Sequence, residues 1–255
     1  MLAEERRQKV QKIIEEHGRV TIEEIVDKFK VSAVTARADL DVLAERGSAV
    51  RSHGGAVRLL NAAVDYPLRF KESLHHAEKV RIGQAAAQIV RPHQTIVLDS
   101  GTTTAQVARH IRNARILPLT VITNALNVAY ELAEAEGISL IMIGGILRSA
   151  SSSFVGPQAE RMLHDLHADH LFLAVDGLHP DAGYSTPDIL EAQLNTMMIR
   201  VANEVTVVAD ASKFGRRSLS IIGKIECAKR IITDDRVDAE IAAALRAKGV
   251  DLVVV

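Results

Sequence analysis

The sequence predicts an α/β protein in two blocks: a short helical block that ends in a hairpin, and a long block built on a mostly parallel sheet. Three observations predict it. Short apolar runs recur along the second block, at "TIVLD", "LPLTVIT", "ISLIMIG", "HLFLAVD", "VTVVAD", "RIIT" and "DLVVV". Helical stretches separate most of these runs, at 104–112, 125–136, 157–166, 189–203 and 238–248. Runs joined by helices imply right-handed crossovers and parallel strands covered on both faces. The first block instead shows apolar residues at helical spacing, punctuated by glycines and capping signals.

Its elements follow in order. Residues 2–17 place Val10, Ile13 and Ile14 on one face, and Gly18 ends that helix. "TIEE" from Thr21 is a capping box, so a second helix starts there and buries Ile22, Ile25, Val26 and Phe29. After the tight "KVS" connection, Ser32 caps a third helix with Ala36, Leu40, Leu43 and Ala44 in one stripe, and Gly47 stops it. "SAVRSHGGAVRLL" then reads as two short strands about a turn at His53-Gly54-Gly55.

Helix, tight turn, capped helix and basic hairpin is the order of a winged helix-turn-helix. Ala33, Val34 and Ala38 are short and lie off the buried stripe, which leaves the third helix slim enough for a major groove. Ser32 and Thr35 can give hydroxyl hydrogen bonds to phosphates beside the helix N-terminus. Arg37 projects outward toward a phosphate or a guanine edge. Arg51, His53 and Arg58 cluster on the hairpin, where Gly54 and Gly55 let the backbone approach a groove. A packing or dimerisation module has the same order of elements, and Asp39, Asp41 and Glu45 on the third helix count against DNA.

Composition excludes several classes. The 255 residues are 47% apolar and 25% charged, with a net charge of −1. Residues 1–60 carry 11 Lys and Arg against 10 Asp and Glu, so bulk charge gives no argument for nucleic acid. The single cysteine, Cys227, precludes an intrachain disulfide framework and suits the cytoplasm. The charged N-terminus is unlike a signal or transit peptide, and no apolar run reaches membrane-spanning length, so no membrane partner is expected.

In the long block, "TIVLDSGTTTAQVARHI" is a strand, a polar turn and a helix. Asp99 ends the strand, and Ser100, Gly101, Thr102, Thr103 and Thr104 offer backbone N–H groups and hydroxyls to a phosphate. The P-loop lysine and glycine spacing is absent, which argues against a nucleoside triphosphate. Other strand ends carry Asn124, Gly145 with Arg148, Asp176, and Lys213, and the helix after "GYSTPD" brings Glu191. Ligands bind at such strand ends in open α/β sheets.

"VSAVTARADLDVLAERGSAVRSHGGA" resembles the signature of DeoR-family regulators, without a gap. It departs at Ala36, where the family has a β-branched residue, and at Ala38, where it has a second arginine. The long block also resembles the family's sensor domain, in "LDSGTTT", "VITNALNVA", "GGILR", "FVGPQAE", "FLAVDGL" and "VVADASKFG". The resemblance implies a sensor fold related to ribose-5-phosphate isomerase, a phosphorylated sugar or amino sugar as effector, and a homo-oligomer, dimer or tetramer, on double-stranded operator DNA. "SFVGPQAE" with "EAQLN" looks most like regulators of N-acetylgalactosamine and galactosamine use. The expected division is a DNA-binding domain over 1–59, a linker over 60–76 and a sensor over 77–255, with no cofactor, metal or catalytic residue. A repressor of sugar catabolism is the leading expectation.

The rival class is a sugar-phosphate isomerase with Asp176 as base. Such an enzyme needs a donor for the enediolate, and no lysine occurs between Asp176 and Lys213. "HDLHADH" offers His164, His167 and His170 as metal ligands, but no cysteine or fixed carboxylate completes a shell.

Overall fold

A computed structural model of the chain describes residues 2–46, 48–52, 54–58 and 65–255. Two compact units divide it, Met1–Asn61 and Ala62–Val255.

In the first unit, α1 (Ala3–His17) ends at Gly18, whose φ of 78° is left-handed and whose N–H bonds to Ile14 O. Strand β1 (Arg19–Thr21) follows, then α2 (Ile22–Phe29), capped by Thr21 and Glu24 in the expected box. Ser32 caps α3 (Ala33–Glu45) by accepting from the Thr35 N–H. Strands β2 (Ala49–Ser52) and β3 (Gly55–Arg58) complete a three-stranded sheet in the order β1-β3-β2. The sequence pattern missed β1, because three residues are too few to show alternation. Gly55 is not in the turn but opens β3 opposite Ser52 and Thr21. A side chain there would collide with Val20 O at 2.1 Å, so only glycine lets the two strands approach. Val10, Ile14, Val20, Ile25, Ala36, Leu40 and Leu43 form the core. Gly47 and His53 lie outside the described residues.

The second unit opens with α4 (Leu68–Ser73) and α5 (His76–Ala87). The chain then alternates through β4 (Thr95–Leu98), α6 (Thr102–Ala114), β5 (Leu119–Thr123), α7 (Leu126–Leu132) and β6 (Ile138–Met142). A hairpin of β7 (Ile146–Arg148) and β8 (Ser153–Val155) leads to α8 (Pro157–His164) and β9 (Ala168–Leu173). Then come β10 (Gly177–His179), β11 (Gly183–Thr186), α9 (Ile189–Val201), β12 (Ala202–Val208) and β13 (Ser220–Gly223). Last are β14 (Arg230–Thr233), α10 (Ala239–Ala247) and β15 (Asp251–Val254).

All seven apolar runs become one parallel sheet, in the order β15-β14-β12-β9-β4-β5-β6. Side-chain alternation sends Val97, Leu171, Leu173 and Val207 to one core, beside α8, α9 and α10. Ile96, Leu98, Phe172 and Val208 face the other core, beside α5, α6 and α7. Strand order runs outward from β4 in one direction and from β9 in the other, so β4 and β9 flank a topological switch point. The small antiparallel sheet β10-β11-β13 was not foreseen.

The expected linker over 60–76 needs correction across its described part. Residues 68–73 form α4, the Leu68 N–H bonds to Ala150 O at 2.7 Å, and the chain there belongs to the second unit. Pro67 broke the helical period in the sequence, yet it is the N-cap of α4.

Candidate functional site

The switch point gathers polar groups from six places in the chain. Asp99 and Ser100 end β4, and Asp176 follows β9. Glu191 and Asn195 share a face of α9, Lys213 follows β12, Arg148 ends β7, and Lys71 comes from α4.

Asp176 is the hub. Its carboxylate receives Lys71 Nζ at 2.8 Å on one oxygen and 2.9 Å on the other, and Lys213 Nζ at 3.3 Å. Burial by itself would raise this carboxyl, but the two ammonium groups outweigh it and hold it well below the usual carboxylate range. Glu191 shows the opposite balance. Burial and then the Asp176 charge push it up to about 7, against the pull of Arg148. Asp99 is completely buried, and burial with the Glu191 charge raises it well above its ordinary value. Its Oδ2 accepts from the Ala174 N–H at 3.3 Å, and the Asn195 amide donates to Oδ1 at 3.1 Å in the orientation that satisfies both amide ends.

Arg148 has every nitrogen engaged. It donates to Ser151 Oγ at 2.8 Å, pairs with Glu191 at 3.0 Å and Asp188 at 3.3 Å, and holds Asp65 through its remaining nitrogen. Deeper still, Lys79 donates to Lys71 O at 2.5 Å and Leu74 O at 2.6 Å. Burial lowers its ammonium to about 8.

The turn after β4 has the build of an anion seat. No side chain caps α6, so its first-turn N–H groups are open to a ligand. A side chain at Gly101 would meet Ala174 Cβ at 2.8 Å, which is why the turn needs glycine to lie against β9. Thr104 Oγ1 donates to Gly101 O at 3.1 Å and is fully buried, so it shapes the turn. Thr103 is also buried, Thr102 is half-buried, and the buried Ser100 Oγ has no partner. A cavity of about 500 Å³ opens beside this turn, lined by Thr102, Gln106, Asn127 and Tyr130 and, from α4, by Leu68 and Glu72.

Two expected effector residues also serve the frame. Asn124 donates to Phe154 O at 2.9 Å and pins β8. Gly145, with φ of 153°, lets Val155 O approach to where a side chain would be only 2.7 Å away. Lys71, Asp65, Asp188 and Asn195 were missed. Asn195 lies one helical turn after Glu191, which is a readable signal. Lys71 and Asp65 sat in a stretch read as linker.

In the first unit, Asp39 and Asp41 of α3 are spent internally. Asp39 is buried and takes Arg6 Nε at 2.5 Å and Arg7 Nε at 2.9 Å. Asp41 pairs with Arg51 Nε at 2.9 Å, and Arg51 also donates to Gly55 O at 2.9 Å. Arg51 is thus tied across the hairpin. Arg37 is exposed and has no ion pair or hydrogen bond among the described residues. Val34 and Ala38 are exposed with it, whereas Ala36 is completely buried. The departure at Ala36 therefore alters core packing, and the one at Ala38 alters the outward face. Ser32 Oγ lies 3.0 Å from Thr35 Oγ1, and Gly54, with φ of 87°, has open space around it.

The histidines do not assemble. His164 ends α8 and pairs with Asp165, while buried His170 bonds Thr206 at 2.8 Å and stacks on Phe172. Among the described residues, no group of three His, Cys, Asp or Glu is placed to hold a metal ion, and no helix is long and apolar enough to cross a membrane.

A winged helix-turn-helix joined to an α/β unit with a polar cluster at its switch point defines a DNA-binding regulator with a sensor domain. Comparison with known proteins agrees. Residues 6–61 match the DeoR-like helix-turn-helix domain, and residues 74–235 match the DeoR C terminal sensor domain. A protein of Escherichia coli O157:H7 described as an aga operon transcriptional repressor is 39% identical over 98% of this chain and 93% of its own. The transcriptional repressor AccR of Agrobacterium fabrum is 34% identical over 91% of this chain and 89% of its own. The chain belongs to the DeoR family of transcriptional regulators. Among solved structures, a ribose 5-phosphate isomerase A from Methanocaldococcus jannaschii shares 18% identity at a TM-score of 0.39, over 55% of this chain and 54% of that one. The matched relatives are regulators, so the isomerase reading gives way.

Proposed function

We propose that this chain represses an operon for sugar or amino-sugar use in the cytoplasm, bound to double-stranded operator DNA as a homo-oligomer, and that a phosphorylated sugar releases it. The observation that carries the sensing half is the Asp176 cluster at the switch point, beside an uncapped helix N-terminus. Three cations within reach of buried carboxyls suit a ligand that is both anionic and rich in hydroxyls. In this reading the phosphate sits on Ser100, Gly101, Thr102 and Thr103, with Arg148 or Lys213 as cationic partner. Asp99, Asp176 and Glu191 take the sugar hydroxyls, or an amino group where the sugar has one.

The reading head acts through α3. Ser32 and Thr35 meet phosphates at its N-terminus, Arg37 reaches a phosphate or a guanine edge, and Val34 offers an apolar contact to a thymine methyl group. Gly54 brings the hairpin backbone to the groove, Gly55 instead holds the strands together, and Arg51 reaches DNA only by leaving Asp41. The relatives described as repressors support the sign of regulation.

The test has two arms. Selection from a random DNA pool yields the operator, and a thermal-shift screen of phosphorylated and unphosphorylated sugars yields the effector. A phosphorylated sugar should stabilise the protein and weaken its hold on the selected DNA. Stabilisation by the unphosphorylated sugar alone would reject the phosphate seat.

A further inference from the structure

Two groups that an effector would use at the switch point, Asp176 and Arg148, each already hold a partner from one short segment. Lys71 Nζ touches both oxygens of Asp176, so a sugar hydroxyl or amine competes with Lys71 for that carboxylate. Each nitrogen of Arg148 already holds a carboxylate or a hydroxyl, so a phosphate competes with carboxylates for it. Of its three carboxylates, Asp188 also caps α9 and Glu191 is buried in α9. Asp65 lies on irregular chain and has no second hydrogen bond or ion pair among the described residues. It is the one most readily displaced. Asp65 and Lys71 both precede residue 74, where the match to the sensor-domain family begins.

Segment 65–74 anchors one buried apolar side chain, Leu74 at 2% exposure, just past α4. No residue of the six-residue α4 is fully buried. Polar ties add to this: the Leu68 N–H bonds to Ala150 O, and Lys79 Nζ to the carbonyls of Lys71 and Leu74. Elements with few buried apolar contacts open at low cost. Glu72 of α4 lines the same cavity as Thr102, so a phosphate seated at the start of α6 places like charge across from it.

We propose that Asp65 and Lys71 are internal stand-ins for the effector, and that a phosphorylated ligand competes them away from Arg148 and Asp176 and undocks α4. This rests on the switch-point cluster being the effector site. In sequence, α4 is the first helix after the reading head, so its release frees the chain that leads back to the DNA-binding unit. A ligand shifts an equilibrium only through unequal affinity for two states, and a stand-in that must leave supplies that inequality. Lys71 thus opposes the ligand instead of holding it.

The experiment uses the full chain, the selected operator DNA and glucosamine 6-phosphate, a phosphate that carries hydroxyls and an amine, as probe, with Asp65→Asn and Lys71→Gln. Amide exchange over 65–74 should quicken in both variants without ligand, and operator affinity should fall by about 5-fold or more, the lower end of ordinary coupling. In the parent, the sugar phosphate should protect the amides of 101–105 while it quickens those of 65–74. Lys71→Gln should bind the sugar phosphate at least as tightly as the parent. Slower or unchanged exchange over 65–74 with the sugar phosphate bound would overturn the proposal. So would weaker sugar-phosphate binding by Lys71→Gln, which would make Lys71 a ligand-holding residue. Absent protection at 101–105 would refute the seat itself and, with it, the competition. The ligand-free variants separate the two failures, because they report on α4 and DNA affinity with no effector present.

Discussion

Asp39→Ala should unfold the reading head while leaving the sensor unit intact. Asp39 is 1% exposed and receives Arg6 at 2.5 Å and Arg7 at 2.9 Å. Deleting the carboxylate leaves two guanidinium groups beside the core, at 10% and 22% side-chain exposure. Stranding a buried charge in this way costs on the order of 3–5 kcal/mol. A unit the size of Met1–Asn61 holds only about 3–9 kcal/mol in total. The loss therefore removes a large share of its stability, and alanine's better helix propensity returns only about 0.7 kcal/mol. Asp39→Asn keeps the shape and one acceptor, so it should cost less, about 1–3 kcal/mol. Urea unfolding of the full chain, followed by amide exchange in each unit, reads the two separately. Operator affinity should fall only with the fraction of head unfolded, because Asp39 lies about 200° around α3 from Arg37. If Asp39→Ala unfolds at the parent's urea concentration, or if the Asn and Ala variants lose the same amount, the charge argument fails.

Other predictions follow from the same geometry. Arg37→Ala should weaken operator binding and reduce its salt slope by about one, as loss of one phosphate contact does, whereas Arg51→Ala should change the slope less because Arg51 is held by Asp41. Ala38→Arg, on an exposed face of α3, should raise affinity for operator and random DNA alike in gel-shift titrations, and equal binding would mean that position 38 faces away from DNA. Gly101→Ala drives a side chain against Ala174 at 2.8 Å, so it should cost about 1–3 kcal/mol in the sensor unit and blunt effector stabilisation in thermal shift. Glu191 is raised from 4.5 to about 7, so the folded state holds a proton there that the unfolded state has released. That contribution is full below 4.5 and fades as pH rises through 7. The parent should therefore lose thermal stability relative to Glu191→Gln across that window, and a constant difference between the two would contradict the shift.

Much of this protein is local, and local chemistry is legible in a linear chain. Thr21 and Ser32 cap their helices as the spacing of Thr-x-x-Glu and the serine before an apolar stripe predict. The seven apolar runs are the seven parallel strands because strands covered on both faces need apolar residues at successive positions. The Gly-Thr turn was readable as a strand-to-helix junction, which the step from β4 to α6 bears out. Strand order was not readable. Alternation tells which face a residue takes but not which strand lies beside it, so the switch point between β4 and β9 emerged only when the sheet assembled. Nor were the ion pairs. Lys71 and Asp176 stand 105 residues apart, and the stretch around Lys71 carries no apolar period, since α4 docks through polar ties. Arg51 read as a free cation until Asp41 met it, and Asp39 read as a charge hostile to DNA until Arg6 and Arg7 buried it. Pairings between distant charges are decided by the packing that brings them together, and that packing exists only in the folded chain.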